Sequence, residues 1–127
     1  MASLGTVIVK RLQAMTNYCP KERIVLFSDV SKFPQVPYIV VKADGPSGIS
    51  GTRQYRIIAH ANQGHSDKLE NFILNEIDGI LTGGIDDEQG SRYKLYPNGF
   101  TDVTPSPTDN TFFMERMYYV PLRVDNN

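Results

Sequence analysis

Leu4, Ile8, Leu12 and Met15 recur every three or four positions, with Val7 beside them, while Lys10, Arg11, Gln13 and Asn17 fill the rest of the wheel. The spacing predicts an amphipathic helix that stops near Asn17, because Pro20 disfavours helical backbone for itself and for Cys19 before it. Arg23 to Phe27 then reads as a short strand, followed by a turn-rich lead into Pro37. Tyr38 to Ala43 is rich in β-branched residues and suits a buried strand. Thr52 to Asn62 alternates instead, with Tyr55, Ile57, Ala59 and Ala61 set against Gln54, Arg56, Ile58 and His60. These two strands are expected to pair as a hairpin. Their connection, Asp44, Gly45, Pro46, Ser47, Gly48, Ile49, Ser50 and Gly51, is glycine-rich enough to predict a long mobile tip rather than a tight turn.

A second helix is expected from Ser66, read as its cap, with Asp67 and Glu70 suited to the positive N-terminal end. Its apolar stripe is Leu69, Phe72, Ile73, Ile77, Ile80 and Leu81, and Gly83 and Gly84 supply a C-terminal stop. Ser91 to Tyr96 reads as a strand, Pro97 to Asn110 as a loop, and Thr111 to Val124 as a long final strand. In that strand Phe112, Met114, Tyr118, Val120, Leu122 and Val124 share a face by parity, and Arg116 is the exception. Pro121 suggests an edge position or a bulge. Strands and helices do not alternate strictly, so the expected fold is α+β: a mostly antiparallel sheet with two helices packed on one face.

Length and charge narrow the function. The chain has 127 residues, which fits a single domain over 1–127. Lys and Arg number 13 against 14 Asp and Glu, a net charge of −1, so no bulk field favours nucleic acid or an anionic membrane. The apolar runs fall far short of the ~18 residues of a membrane span. The N-terminus lacks the pattern of a secretory signal, which points to cytoplasmic synthesis, and one cysteine, Cys19, cannot form an internal disulfide.

Candidate chemistry is sparse. His60 and His65, with Asp67, lie close enough in sequence for a metal site but match no zinc spacing, and they read as solvated loop histidines rather than as ligands. Cys19 has no histidine neighbour to activate it. Gly45, Gly48 and Gly51 lack the GK[ST] ending of a phosphate loop and lie between two strands. Asp86, Asp87 and Glu88 lack calcium-loop spacing. Phe112, Phe113, Tyr118 and Tyr119 lack basic partners for stacking bases, and read as core on one face and an interface on the other.

The order of landmarks resembles the tail terminator, or tail completion, proteins of long-tailed phages such as the lambda-like siphophages. FPQVPYIVVKADG (Phe33 to Gly45) is similar to that family's turn feeding an apolar strand. TRQYRIIAHANQGHSDKLENFILNEIDGIL (Thr52 to Leu81) is similar to its next strand and second helix, and PNGFTDVTPSPTDNTFFMERMYYVPL (Pro97 to Leu122) to its acidic loop and long final strand. The chain departs from the lambda-type pattern in its glycine-rich tip and its lack of tryptophan, so no individual contact residue transfers.

The resemblance implies a structural virion protein of the tail or neck, assembled in the host cytoplasm, with no catalysis, cofactor or membrane partner. It would form a hexameric ring that caps the head-proximal end of the tail tube, halts the tube protein and meets the head connector or stopper protein. A chain of this length has a radius of gyration of ~14 Å, an equivalent sphere ~36 Å across, so six in a ring leave a hole wide enough for duplex DNA to pass. A heterologous ring needs different patches on its two sides, and the candidates are the Asp44 to Gly51 tip, the Pro97 to Asn110 loop and the edge near Pro121. Other readings are a head completion or stopper protein, a minor tail protein, a partner-binding module, or a small metal-dependent hydrolase using His60, His65 and Asp67.

Overall fold

The computed structural model describes residues 3–46, 51–87, 89–107 and 110–121. Helix α1 (Leu4–Met15) opens on Ser3, whose hydroxyl accepts from the Thr6 amide at 3.2 Å, and buries Val7, Ile8, Val9 and Leu12. Strands β1 (Ile24–Leu26), β2 (Tyr38–Pro46) and β3 (Thr52–Asn62) follow. The second helix is continuous but composite: α2 (Ser66–Glu70), a π-helical segment (Asn71–Glu76) and α3 (Ile77–Leu81). Then come β4 (Ile85–Asp86), β5 (Arg92–Tyr93), β6 (Tyr96–Phe100), β7 (Thr104–Pro105) and β8 (Thr111–Pro121). Among the described residues, no helix is long and apolar enough to cross a membrane.

The main sheet runs β1-β2-β3-β8-β6, with β7 also paired to β8, while β4 and β5 form a separate ribbon. Only β1 and β2 are parallel; the other pairings are antiparallel, and both helices pack on one face, which is the expected α+β arrangement. The parity read from β3 holds, since Tyr55, Ile57, Ala59 and Ala61 are all buried beneath the helices. All six residues of the apolar stripe read from the second helix, Leu69 to Leu81, are buried. At the α-helical 100° per residue they would fan over about half the circumference; the slower turn of the π segment gathers them onto one side.

Three expectations need correction. Ser66 is the first helical residue and not the cap; His65 holds the cap position without a side-chain bond, because the turn closed from the His65 amide to the Asn62 carbonyl at 3.1 Å starts the helix early. The strand expected over Ser91 to Tyr96 is divided between β5, which pairs with β4, and β6, which pairs with β8. The expected loop Pro97 to Asn110 carries most of β6 and all of β7; an extra residue between Pro97 and Phe100 breaks the alternation that would have revealed it. Pro121 agrees with the expected edge position at its strand's end: it pairs with Thr52 of β3 but lies beyond the final β6 pair at Tyr119. Leu122 and Val124 fall outside the described residues.

Arg116, the exception in the apolar face of β8, lies under the second helix because it has a partner there. Its Nη2 and Nε donate to Asp78 at 2.8 and 3.1 Å, and the buried Tyr118 hydroxyl donates to the same carboxylate. Burial opposes ionisation of Asp78, but hydrogen bonds from Arg116 and Tyr118, with the Arg116 charge, outweigh it and hold the carboxyl below its ordinary range. A carboxylate depressed in the folded state stabilises fully above its unfolded pKa of ~3.9, and that contribution disappears as pH falls through the lower folded value. Asp78→Asn is therefore expected to lose about 1–2 kcal/mol at pH 7, allowing for the half-exposed carboxylate, and to show a shallower fall in stability below pH ~4. Urea denaturation across pH checks both.

Candidate functional site

The sheet face away from the helices is where polar chemistry and exposed rings collect. Even positions of β2 and β3 point there, joined by odd positions of β8. Near the middle, Arg56 donates to two carboxylates: Nη2 and Nε to Asp44 at 2.8 and 3.2 Å, and Nη1 to Glu115 at 2.9 Å. Gln54 also donates to Asp44, at 2.7 Å, and accepts from Asn98 of β6 at 2.9 Å. The network thus ties β2, β3, β8 and β6 together across the outer surface.

Asp44 sits at a bulge. Ala43 pairs with Tyr55 and Gly45 with Gln54, leaving Asp44 as the extra residue, and Gly45 takes the φ of +81° that the kink requires. Burial raises the cost of charge on Asp44, yet hydrogen bonds from Arg56 and Gln54, together with the Arg56 charge, pull its pKa down. On Arg56 burial acts against the charge, and the bonds to Asp44 and Glu115 reverse that and raise its pKa.

On one side of the network lies a run of packed rings, two pairs stacked and two tilted. Phe27 and Phe33 have centroids 6.3 Å apart, Phe33 and Tyr38 5.9 Å, Tyr38 and His60 4.3 Å, and His60 and Phe113 5.6 Å. Lys42 Nζ stands 4.9 Å from the Phe27 ring centre. Phe27 and Phe33 keep 44% and 48% of their surface in solvent, too much for core residues. On the other side, Tyr96 stacks on Tyr119 at 5.1 Å.

The expected site residues distribute as follows. Asp44, Gly45 and Pro46 belong to β2 and not to a mobile tip, because the hairpin ladder continues to Pro46 opposite Arg53; Asp44 is held inward by Arg56. Gly51 sits in the turn, and Ser47, Gly48, Ile49 and Ser50 lie outside the described residues. His60, His65 and Asp67 do not gather into a metal-holding group: His60 is stacked between Tyr38 and Phe113, while His65 and Asp67 are exposed at the start of α2. Cys19 is buried, and burial pushes its thiol up to about 11 against the pull of Lys68 and Arg23, so it is not a poised nucleophile. Asp86 pairs with Arg92 at 3.1 Å, and Asp87 accepts from the Gln89 and Ser91 amides at 2.9 Å, which makes these acids turn-forming. Of the four aromatics in β8, Tyr118 is core and Phe112 packs against it, whereas Phe113 and Tyr119 join the outer rings.

Sequence reasoning missed two features. Phe27 and Phe33 sit in a segment without periodicity, so nothing marked them as a surface. Arg56 and Glu115 did carry a signal, being opposite charges at outward parity on adjacent strands. The chain matches no protein-family model and no curated protein.

Arg56→Gln should leave two largely buried carboxylates without their cation and cost about 1–3 kcal/mol at pH 7. Because Arg56 and Gln54 hold Asp44 below its ordinary range, the stability that Asp44 contributes in the wild type is full above its unfolded pKa of ~3.9 and is lost as pH falls through the lower folded value, so the gap seen at pH 7 should narrow only near pH ~3. Parallel denaturation curves at the two pH values measure this.

Proposed function

We propose that this chain is a structural virion protein of a long-tailed phage, forming a hexameric ring at the head-proximal end of the tail tube. In that position it stops addition of tube protein and gives the head connector a surface to join, and DNA passes through its lumen. The observation that supports this reading is the outer sheet face: a rigid ion-pair network flanked by solvent-exposed rings, a surface suited to being covered by another protein. A strand-to-strand network fixes the shape of that face before any partner arrives, which lowers the ordering cost of association. The resemblance of the strand, helix and final-strand segments to tail terminators supplies the identity of the assembly, and the α+β fold agrees with it.

The nearly neutral charge fits a lumen through which DNA slides, because each phosphate neutralised by a fixed cation would add to binding and slow passage. Electron microscopy of lysates lacking the chain tests the proposal. Overlong tails are the expected phenotype. Tails of normal length detached from heads would instead assign a stopper role, and intact particles of normal length would contradict any neck function.

A further inference from the structure

The solvent stripe of the second helix carries a complement to the exposed rings. Asp67, Glu70, Leu74 and Asn75 are exposed at helical spacing, and Leu74 keeps 43% of its surface in solvent. This stripe is acidic; the nearby Lys68 turns to the Tyr18 ring, 5.2 Å from its centre. On the opposite layer, the tilted rings of Phe27 and Phe33 pack together beside Lys42, and the exposed Lys32 precedes Phe33. One face therefore offers an apolar side chain among carboxylates, and the other offers apolar rings among ammonium groups, with Asp29 as the local exception.

We propose that a second copy of this chain docks its acidic helix stripe, centred on Leu74, onto the Phe27–Phe33 ring patch of its neighbour. Leu74 covers the rings, while Glu70 and Asp67 meet Lys32 and Lys42. The charge pattern sets direction, because stripe against stripe would bring carboxylates together and patch against patch would bring ammonium groups together. The two surfaces lie on opposite layers of the same domain, so the contact is head-to-tail and leaves each added copy with one free surface of each kind. Such a chain of contacts either closes into a ring or continues as a fibre. The inference names the faces of the proposed ring and rests on that reading only for the number of copies at closure.

Sedimentation equilibrium on four samples tests it: wild type, Phe33→Glu, the double variant Glu70→Lys/Leu74→Asn, and an equal mixture of the two variants. All substituted positions are exposed, and circular dichroism with thermal melting confirms folding of each variant. The wild type is expected to form multimers of more than two copies and each variant to be a monomer. The mixture is expected to stop at two copies, since only the intact patch of one variant and the intact stripe of the other remain. Multimers that survive both variants would overturn this inference and leave the ring reading standing. A wild type that stays monomeric at its highest soluble concentration would overturn it also, and the lysate experiment above would still judge the ring reading separately.

Discussion

The antiparallel ladder between β3 and β8 is the constraint on which the rest of the structure depends. It runs in unbroken register from Thr52 opposite Pro121 to Asn62 opposite Thr111. Each strand has two faces, so this one register decides both what the helices cover and what the outer surface displays. A slip of β8 by one residue against β3 would turn Met114 and Tyr118 outward and drive Glu115 into the apolar layer. The burial of one set against the helices and the ion pair formed by the other both hold the register in place.

The two faces are also linked through charge. Beneath the helices, Asp78 of α3 joins Arg116 and Tyr118, which fixes the second helix to the centre of the sheet. Above, Asp44 sits at the bulge that interrupts the pairing of β2 with β3 and binds Arg56. Regularity is given up at Asp44 and in the π segment, and in both places a side chain arrives where packing or pairing needs it. The result is a rigid plate with rings on one side and an amphipathic helix on the other. Its described residues hold no group of three or more His, Cys, Asp or Glu side chains placed to bind a metal ion.

Much of this architecture was legible in the sequence, for physical reasons that differ between elements. Period-two alternation in Thr52 to Asn62 and the stripe from Leu69 to Leu81 record burial on one side, and both elements appear where the pattern puts them. β6 was not legible, since its extra residue and its proline erase the alternation, and its pairing depends on β8, distant in the chain. Ser66 looked like a cap because its chemistry fits one, but the preceding turn sets where the helix begins. The outer rings were illegible for the opposite reason: no buried face imposes a period on Phe27 and Phe33. Arg116 was visible only as an exception, and its meaning required Asp78, far off in sequence, to be in place.

The account holds that the ring-bearing face of the sheet is a contact surface, covered when the protein works. Hydroxyl-radical footprinting of Phe27 and Phe33, read by mass spectrometry in the dilute chain and in its assembled form, measures that directly. Strong labelling when dilute and protection on assembly, with the buried Phe72 unchanged, is the predicted result. Equal labelling of Phe27 and Phe33 in the two states would contradict it.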